Sequence, residues 1–221
     1  MRIGYCTDLR HAALLADLGY DYIDVNLTVV AQMDEKTFAK ARRALGQSGL
    51  RAEAFNCFFP GSLRLTGLDV DMAALDSYMR LAIGRAAQLG GEVIVLGSGS
   101  SRNVPDGFPA DEARAQLVEV CRLAGTLGAA HGIKIAIEPL RTQESNIINL
   151  VSHALDLCAE AAHPAVGVLA DSFHMDAAGE SMDAALRAAK EGKLYHTHIA
   201  RPSSRAVPCP GDGAEDAYRT F

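Results

Sequence analysis

The sequence predicts an α/β fold in which parallel strands alternate with helices, and three observations carry that expectation. Short apolar runs of strand character begin near residues 2, 22, 51, 92, 134, 165 and 194. Stretches with apolar residues at helical spacing separate them, and such alternation means parallel strands joined by right-handed crossovers. The third observation is chemical. Lys134-Ile135-Ala136-Ile137 runs into Glu138 and Pro139, and Ala165–Ala170 runs into Asp171 with His174 three residues on. The run from Leu194 to Ala200 carries His196 and His198. An acid at a buried strand end costs free energy unless it has a partner or a job. Strand C-termini of parallel sheets gather on one face, where chemistry collects.

Each element has its own justification. Arg2–Cys6 is the first strand. Thr7 or Asp8 can cap a helix through Leu18, with Leu14, Leu15 and Leu18 on one face and Gly19 as its stop. Tyr22–Leu27 is the second strand, and Asp34 caps a helix carrying Phe38, Ala41 and Leu45. Arg51–Phe58 is the third strand, followed by a loop from Phe59 to Gly67. Asp71 starts a long helix (Leu75, Met79, Ile83, Leu89) that closes at Gly90-Gly91. Glu92–Leu96 is the fourth strand and runs into the Gly97–Arg102 loop. Asp111 begins a helix that ends near Gly132, before the Glu138 strand. A helix from Asn149 to Ala161 leads to the Asp171 strand, and one capped by Ser181 leads to the His198 strand. Gly211–Phe221 reads as a helix start.

These seven units fit a (β/α)8-type TIM barrel in which strand eight is missing, since the closed form has eight strands and typically ~250 residues. The chain is therefore expected to be C-terminally truncated by about one helix and one strand. Residues 1–221 show no linker or low-complexity tract, so one domain is expected.

The totals exclude several classes. The chain has 221 residues, 49% of them hydrophobic, which suits a sizeable core and argues against disorder. The net charge is −6, where a nucleic-acid-gripping protein usually shows a basic surface. Nucleic acid is therefore not expected as a partner. The five cysteines (Cys6, Cys57, Cys121, Cys158, Cys209) are widely spaced with no CxxC. This suits free thiols in a reducing cytoplasm. No signal pattern opens the chain and no apolar run approaches bilayer length, so no membrane association is expected.

From Ile137 to Gly213 the motifs resemble those of the xylose isomerase-like TIM barrels, the sugar phosphate isomerase/epimerase superfamily. Within it they are similar to the D-tagatose 3-epimerase group. Glu138-Pro139-Leu140-Arg141-Thr142-Gln143-Glu144-Ser145-Asn146 resembles the strand-five segment, Asp171-Ser172-Phe173-His174-Met175 the strand-six motif, and His196-Thr197-His198-Ile199 the strand-seven motif. The resemblance implies Glu138 as metal ligand and catalytic base, and Asp171 and His198 as further metal ligands. It implies substrate contacts from Glu144, His174 and Arg205, the last preceding Pro208-Cys209-Pro210-Gly211-Asp212-Gly213; Arg201 competes for that role. The family's second glutamate, on strand eight, has no counterpart in these 221 residues, so two-base chemistry is expected to be lost or much reduced.

A mixed O/N donor set suits Mn²⁺, Mg²⁺, Co²⁺ or Zn²⁺. The metal would act as a Lewis acid on an enediolate developing from a sugar or sugar phosphate, while Glu138 takes the proton beside the carbonyl. The expected function is thus metal-dependent sugar isomerisation or epimerisation. A non-catalytic barrel that binds a small ligand is the alternative. An abasic-site nuclease of the endonuclease IV kind would need metal-binding histidines on early strands, which here end in Cys6-Thr7, Asn26-Leu27 and Asn56-Cys57. His196 is expected to be a packed core histidine, and Phe58, Phe59 and Leu63 are either core or an apolar wall over a sugar. Asp24 and Glu53 sit in strands without a motif. The Gly97–Arg102 loop reads as a flexible Gly/Ser loop, with a phosphate cradle using Arg102 as the weaker alternative. Open sheet edges are expected to favour homo-oligomers.

Overall fold

The computed structural model describes residues 2–202, 204–211 and 215–220. Seven parallel strands form one sheet in sequence order. They are β1 (Gly4–Cys6), β2 (Tyr22–Asn26), β3 (Ala52–Asn56), β4 (Val93–Leu96), β5 (Lys134–Ile137), β6 (Val166–Asp171) and β7 (Leu194–His198). Each strand pairs only with its sequence neighbours among the described residues, so β1 and β7 are the edges. Helices occupy the connections: α1 (Ala12–Asp17), α2 (Leu27–Gln32), α3 (Glu35–Ser48), α4 (Met72–Leu89), α5 (Gly99–Arg102), α6 (Ala110–Ala129), α7 (Val151–Ala161), α8 (Ser172–Ala178) and α9 (Asp183–Lys190). A tenth, α10 (Glu215–Thr220), lies where a helix start was expected. The sheet curls into an open barrel-like α/β layer.

Alternation along the strands sorts the core into two layers. Ile94, Leu96, Ile135, Ile137, Val166 and Val168 face the helices in one large cluster. Ala54, Val93, Val95, Ala136 and Leu169 fill the concave side in a smaller one. That two-residue period sends Glu138 the way of Ala136, and Asp171 the way of Leu169, onto the concave side. Caps hold several helix starts: Asp34 accepts from Thr37 N at 2.8 Å, and Asp71 accepts from Ala73 N and Ala74 N at 3.0 Å.

Several sequence expectations change. β2 stops at Asn26, whose side chain caps the unforeseen α2 by accepting from Val29 N at 3.1 Å. The first helix is shorter, starting at Ala12 after a 3₁₀ turn and ending before Leu18, and of Leu14, Leu15 and Leu18 only Leu15 is buried. Neither Thr7 nor Asp8 makes the expected cap; the Thr7 hydroxyl instead meets His11 Nδ1 at 2.8 Å. β3 is confined to Ala52–Asn56. Phe58 and Phe59 are core residues, with ring centroids 4.2 Å apart. The Gly97–Arg102 stretch is no flexible loop or phosphate cradle: it ends in the turn α5, and Arg102 is fully buried. Asp212, Gly213 and Phe221 lie outside the described residues.

Cys6, Cys57, Cys121 and Cys158 are free thiols. Among the described residues no helix is long and apolar enough to cross a membrane. The residues of β7 are half-buried or exposed. Unpaired strand edges template association, so sedimentation velocity should show a concentration-dependent rise in mass. A sharp monomer at every concentration would refute that expectation.

Candidate active site and metal centre

Three strand ends converge at the C-terminal rim of the sheet. Glu138 directly follows β5, Asp171 ends β6, and His198 ends β7 in register with Asp171. One ligand atom from each of the three lies within 4.8 Å of the others. His198 Nδ1 stands 3.4 Å from Glu138 Oε1 and 3.8 Å from Asp171 Oδ2. Both carboxylates are buried, at 6% and 3% exposure, so neither is a solvated surface acid.

The electrostatics show what these groups need. Burial, and then the neighbouring Glu138 charge, push the Asp171 carboxyl up. Burial also acts to raise Glu138, but the hydrogen bond and charge of His198, with help from His174 and Arg205, hold it below its ordinary value. Burial alone would lower His198, yet hydrogen bonds with Asp24, Cys6 and Glu138 lift it well above the ordinary histidine range. Two buried acids that repel each other, beside a histidine, fit a divalent cation: it neutralises both and takes an O/O/N donor set.

The three expected substrate contacts form a second group on the same rim. His174 lies on α8, not in a loop, and is 1% exposed. Its Nδ1 accepts from Arg141 N at 3.3 Å, which leaves Nε2 3.9 Å from Asp171 Oδ2 and 4.0 Å from Glu138 Oε1. Burial depresses its pKa against the pull of Asp171 and Glu138. Arg205 Nη2 stands 3.3 Å from His174 Nε2, while Nη1 donates to Glu144 Oε2 at 3.3 Å. Glu144 also pairs with Arg141 at 2.7 Å. Arg201 Nη2 stands 2.6 Å from Cys209 Sγ.

The sequence reading missed two functional neighbours. Asp24 on β2 is 2% exposed and holds His198 Nε2 at 3.0 Å, with His196 Nε2 at 3.6 Å. It fixes the ring whose other nitrogen faces Glu138. His196 is therefore a half-buried partner of Asp24 and not a packed core histidine. A lone acid between buried Ile23 and Val25 carried the same signal as Glu138, but no motif surrounds it. Arg102 is the other: its Nη1 donates to Leu96 O at 3.1 Å and to Glu138 O at 2.8 Å, and Nη2 donates to Ile148 O at 3.2 Å. Burial pulls its guanidinium down to about 10, still charged at neutral pH.

Gly97, just past β4, shows how closely the site is packed. A Cβ there would sit 2.2 Å from Glu138 Oε2. Gly97→Ala should displace the carboxylate and weaken cation binding by ~10–100-fold without unfolding the chain. Calorimetry with circular dichroism checks this; unchanged affinity would show that the carboxylate has room to move.

The fold is an open parallel α/β barrel with buried acids and histidines converging on its C-terminal rim. The chain belongs to the xylose isomerase-like TIM barrel family, whose sequence profile matches residues 12–218. No curated protein sequence gives a significant match. Among solved structures it is similar to a D-psicose 3-epimerase determined in the presence of D-fructose, at TM-score 0.82 and 21% identity over 96% of this chain and 76% of that one. A D-allulose 3-epimerase from Methylomonas sp. aligns at TM-score 0.78 and 24% identity, over 90% of this chain and 72% of that one. An AP endonuclease, family 2, from Brucella melitensis aligns at TM-score 0.81 and 19% identity, over 100% and 88%. At these identities the likeness is one of fold.

Proposed function

We propose that the chain is a divalent-metal-dependent sugar isomerase/epimerase, moving a proton next to a carbonyl. The observation that supports this best is the convergence of Glu138, Asp171 and His198 within 4.8 Å at three successive strand ends. Glu138, Asp171 and His198 would hold the cation, which supplies Lewis-acid polarisation of a carbonyl when bound. Glu138 stays ionised because its carboxyl is held low, so it can accept the proton beside that carbonyl. His174, kept neutral by burial, orients a substrate oxygen. The Arg205–Glu144 pair offers donors and acceptors side by side, which suits the hydroxyls of a sugar. Glu138, Asp171, His198, Glu144, His174 and Arg205 are thus the proposed site. The early strands contribute Cys6, Asn26 and Asn56 to the rim, not the histidines a multi-zinc nuclease would need.

Mn²⁺ calorimetry tests the reading. One ion per chain is expected, with affinity falling sharply in His198→Ala. Metal needs His198 unprotonated, and its pKa is raised. Binding should therefore release a proton, give a buffer-dependent enthalpy and tighten as pH rises. With ketoses in deuterium oxide, deuterium should appear beside the carbonyl, since that exchange needs only one base. No Mn²⁺ binding would refute the metal-dependent reading. Binding without exchange on any ketose would favour a ligand-binding barrel.

A further inference from the structure

We infer that Cys6, Asp24 and His198 form a second cation site, one that contains a thiolate and takes Zn²⁺. Cys6 Sγ, an Asp24 carboxylate oxygen and a His198 ring nitrogen all lie within 4.8 Å of one another. Cys6 and Asp24 are direct neighbours in register across β1 and β2, and His198 reaches them from β7, the far edge of the sheet. Asp24 Oδ2 is 3.0 Å from His198 Nε2, and His196 Nε2 lies 3.6 Å from the same oxygen, at the edge of the group. Tetrahedral zinc with bonds of 2.0–2.3 Å sets its ligand atoms about 3.4 Å apart, a spacing these groups reach with small movements.

The surroundings support such a site. Asp24 Oδ1 accepts from Asn56 N at 3.1 Å and from Asn56 Nδ2 at 2.8 Å, which leaves Oδ2 aimed at the histidines. A cavity of about 260 Å³ lined by Cys6, Thr7, Asp8, Asn26 and Asn56 gives an ion a way in. The thiolate separates this site from its neighbour in chemistry: sulfur with imidazole favours zinc, whereas the carboxylate-rich group beside it also suits Mn²⁺ and Mg²⁺. Binding displaces the Cys6 thiol proton to solvent.

Both sites draw on one imidazole. A neutral ring coordinates through one nitrogen and donates through the other. A cation on Nε2 leaves Nδ1–H for Glu138, and a cation on Nδ1 leaves Nε2–H for Asp24. Filling one site therefore sets the tautomer against the other, and Zn²⁺ acts as a brake on the Mn²⁺ form. That competition rests on the role proposed above for Glu138 and Asp171; the Cys6 site does not.

Cobalt substitution is the test. Co²⁺ should give the wild-type chain a thiolate-to-cobalt charge-transfer band in the near ultraviolet. Cys6→Ser should lose the band, and Glu138→Gln should keep it while its Mn²⁺ affinity falls. In the wild type, Zn²⁺ should slow iodoacetamide alkylation of Cys6 by at least ~10-fold, and Mg²⁺ should not. The inference is overturned by no band in the wild type, by a band that survives Cys6→Ser, by loss of the band in Glu138→Gln, or by alkylation indifferent to Zn²⁺. Failure of Mn²⁺ binding with the cobalt band intact would count against the catalytic reading alone.

Discussion

Arg102→Ala should cost about 3–5 kcal/mol of folding stability and take cation binding with it. The side chain is fully buried behind Glu138 and donates to three carbonyls: Leu96 at the end of β4, Glu138 after β5, and Ile148 in the following loop. Truncation takes one donor from each carbonyl: Leu96 O keeps Glu138 N and Ile148 O keeps Leu140 N, whereas Glu138 O is left without one, at about 1–3 kcal/mol where water cannot replace it, and a cavity opens beside the site. Arg102→Lys should recover only part of the loss, because an ammonium lacks the planar fork that meets carbonyls on three segments. Denaturant titration at constant slope measures the first effect and Mn²⁺ calorimetry the second. A loss under ~1 kcal/mol would mean that water solvates the carbonyls and that Arg102 is not the tie between these loops.

Glu138→Gln should remove catalysis more completely than any substitution at the substrate rim. The change keeps the shape of the side chain but removes the charge that draws in a cation and the basicity that takes a proton. A ligand loss alone should be recovered by raising the metal concentration. Loss of the base should persist at saturating metal, at ~10²–10⁴-fold in turnover. Asp171→Asn provides the contrast, since Asp171 is assigned only to the metal: its turnover should return toward wild type as Mn²⁺ is raised. Deuterium exchange on a ketose substrate distinguishes the two. If both variants recover equally, Glu138 is a ligand and not the base.

The sheet was legible because its strands are short apolar runs at regular intervals with acids at their ends. Periodicity finds such runs, and the period of two within a strand put Glu138 and Asp171 on the same side. Boundaries were less legible. Asn26 reads equally as a strand residue or as a cap, and only the position of the chain decides that it accepts from Val29 N. Leu14 and Leu18 carried the expected helical spacing but lie exposed: the helix turns Ala12 and Leu15 inward and stops at Asp17, before Leu18. The proximity of Glu138, Asp171 and His198 was legible where these residues sit in motifs. Asp24 and Arg102 act through groups far off in sequence, on Asp24–His198 and Arg102–Ile148 contacts that no local pattern encodes. Arg102 was misjudged for a physical reason: glycine and serine around it suggest mobility, whereas here they let the backbone turn tightly enough to bury a guanidinium.

The order of the sheet bears on how the molecule assembles. Since each strand pairs with the one before it, the sheet can grow unit by unit from the N-terminus, each step closing a single strand–helix–strand crossover. The contact between Asp24 and His198 spans 174 residues and waits until β7 docks. The groups proposed to bind the cation therefore come together only when β7 pairs with β6. A chain emerging from the ribosome would hold Glu138 and Asp171 as an unneutralised pair until β7 arrives, and a divalent ion present at that moment would favour its docking over retreat.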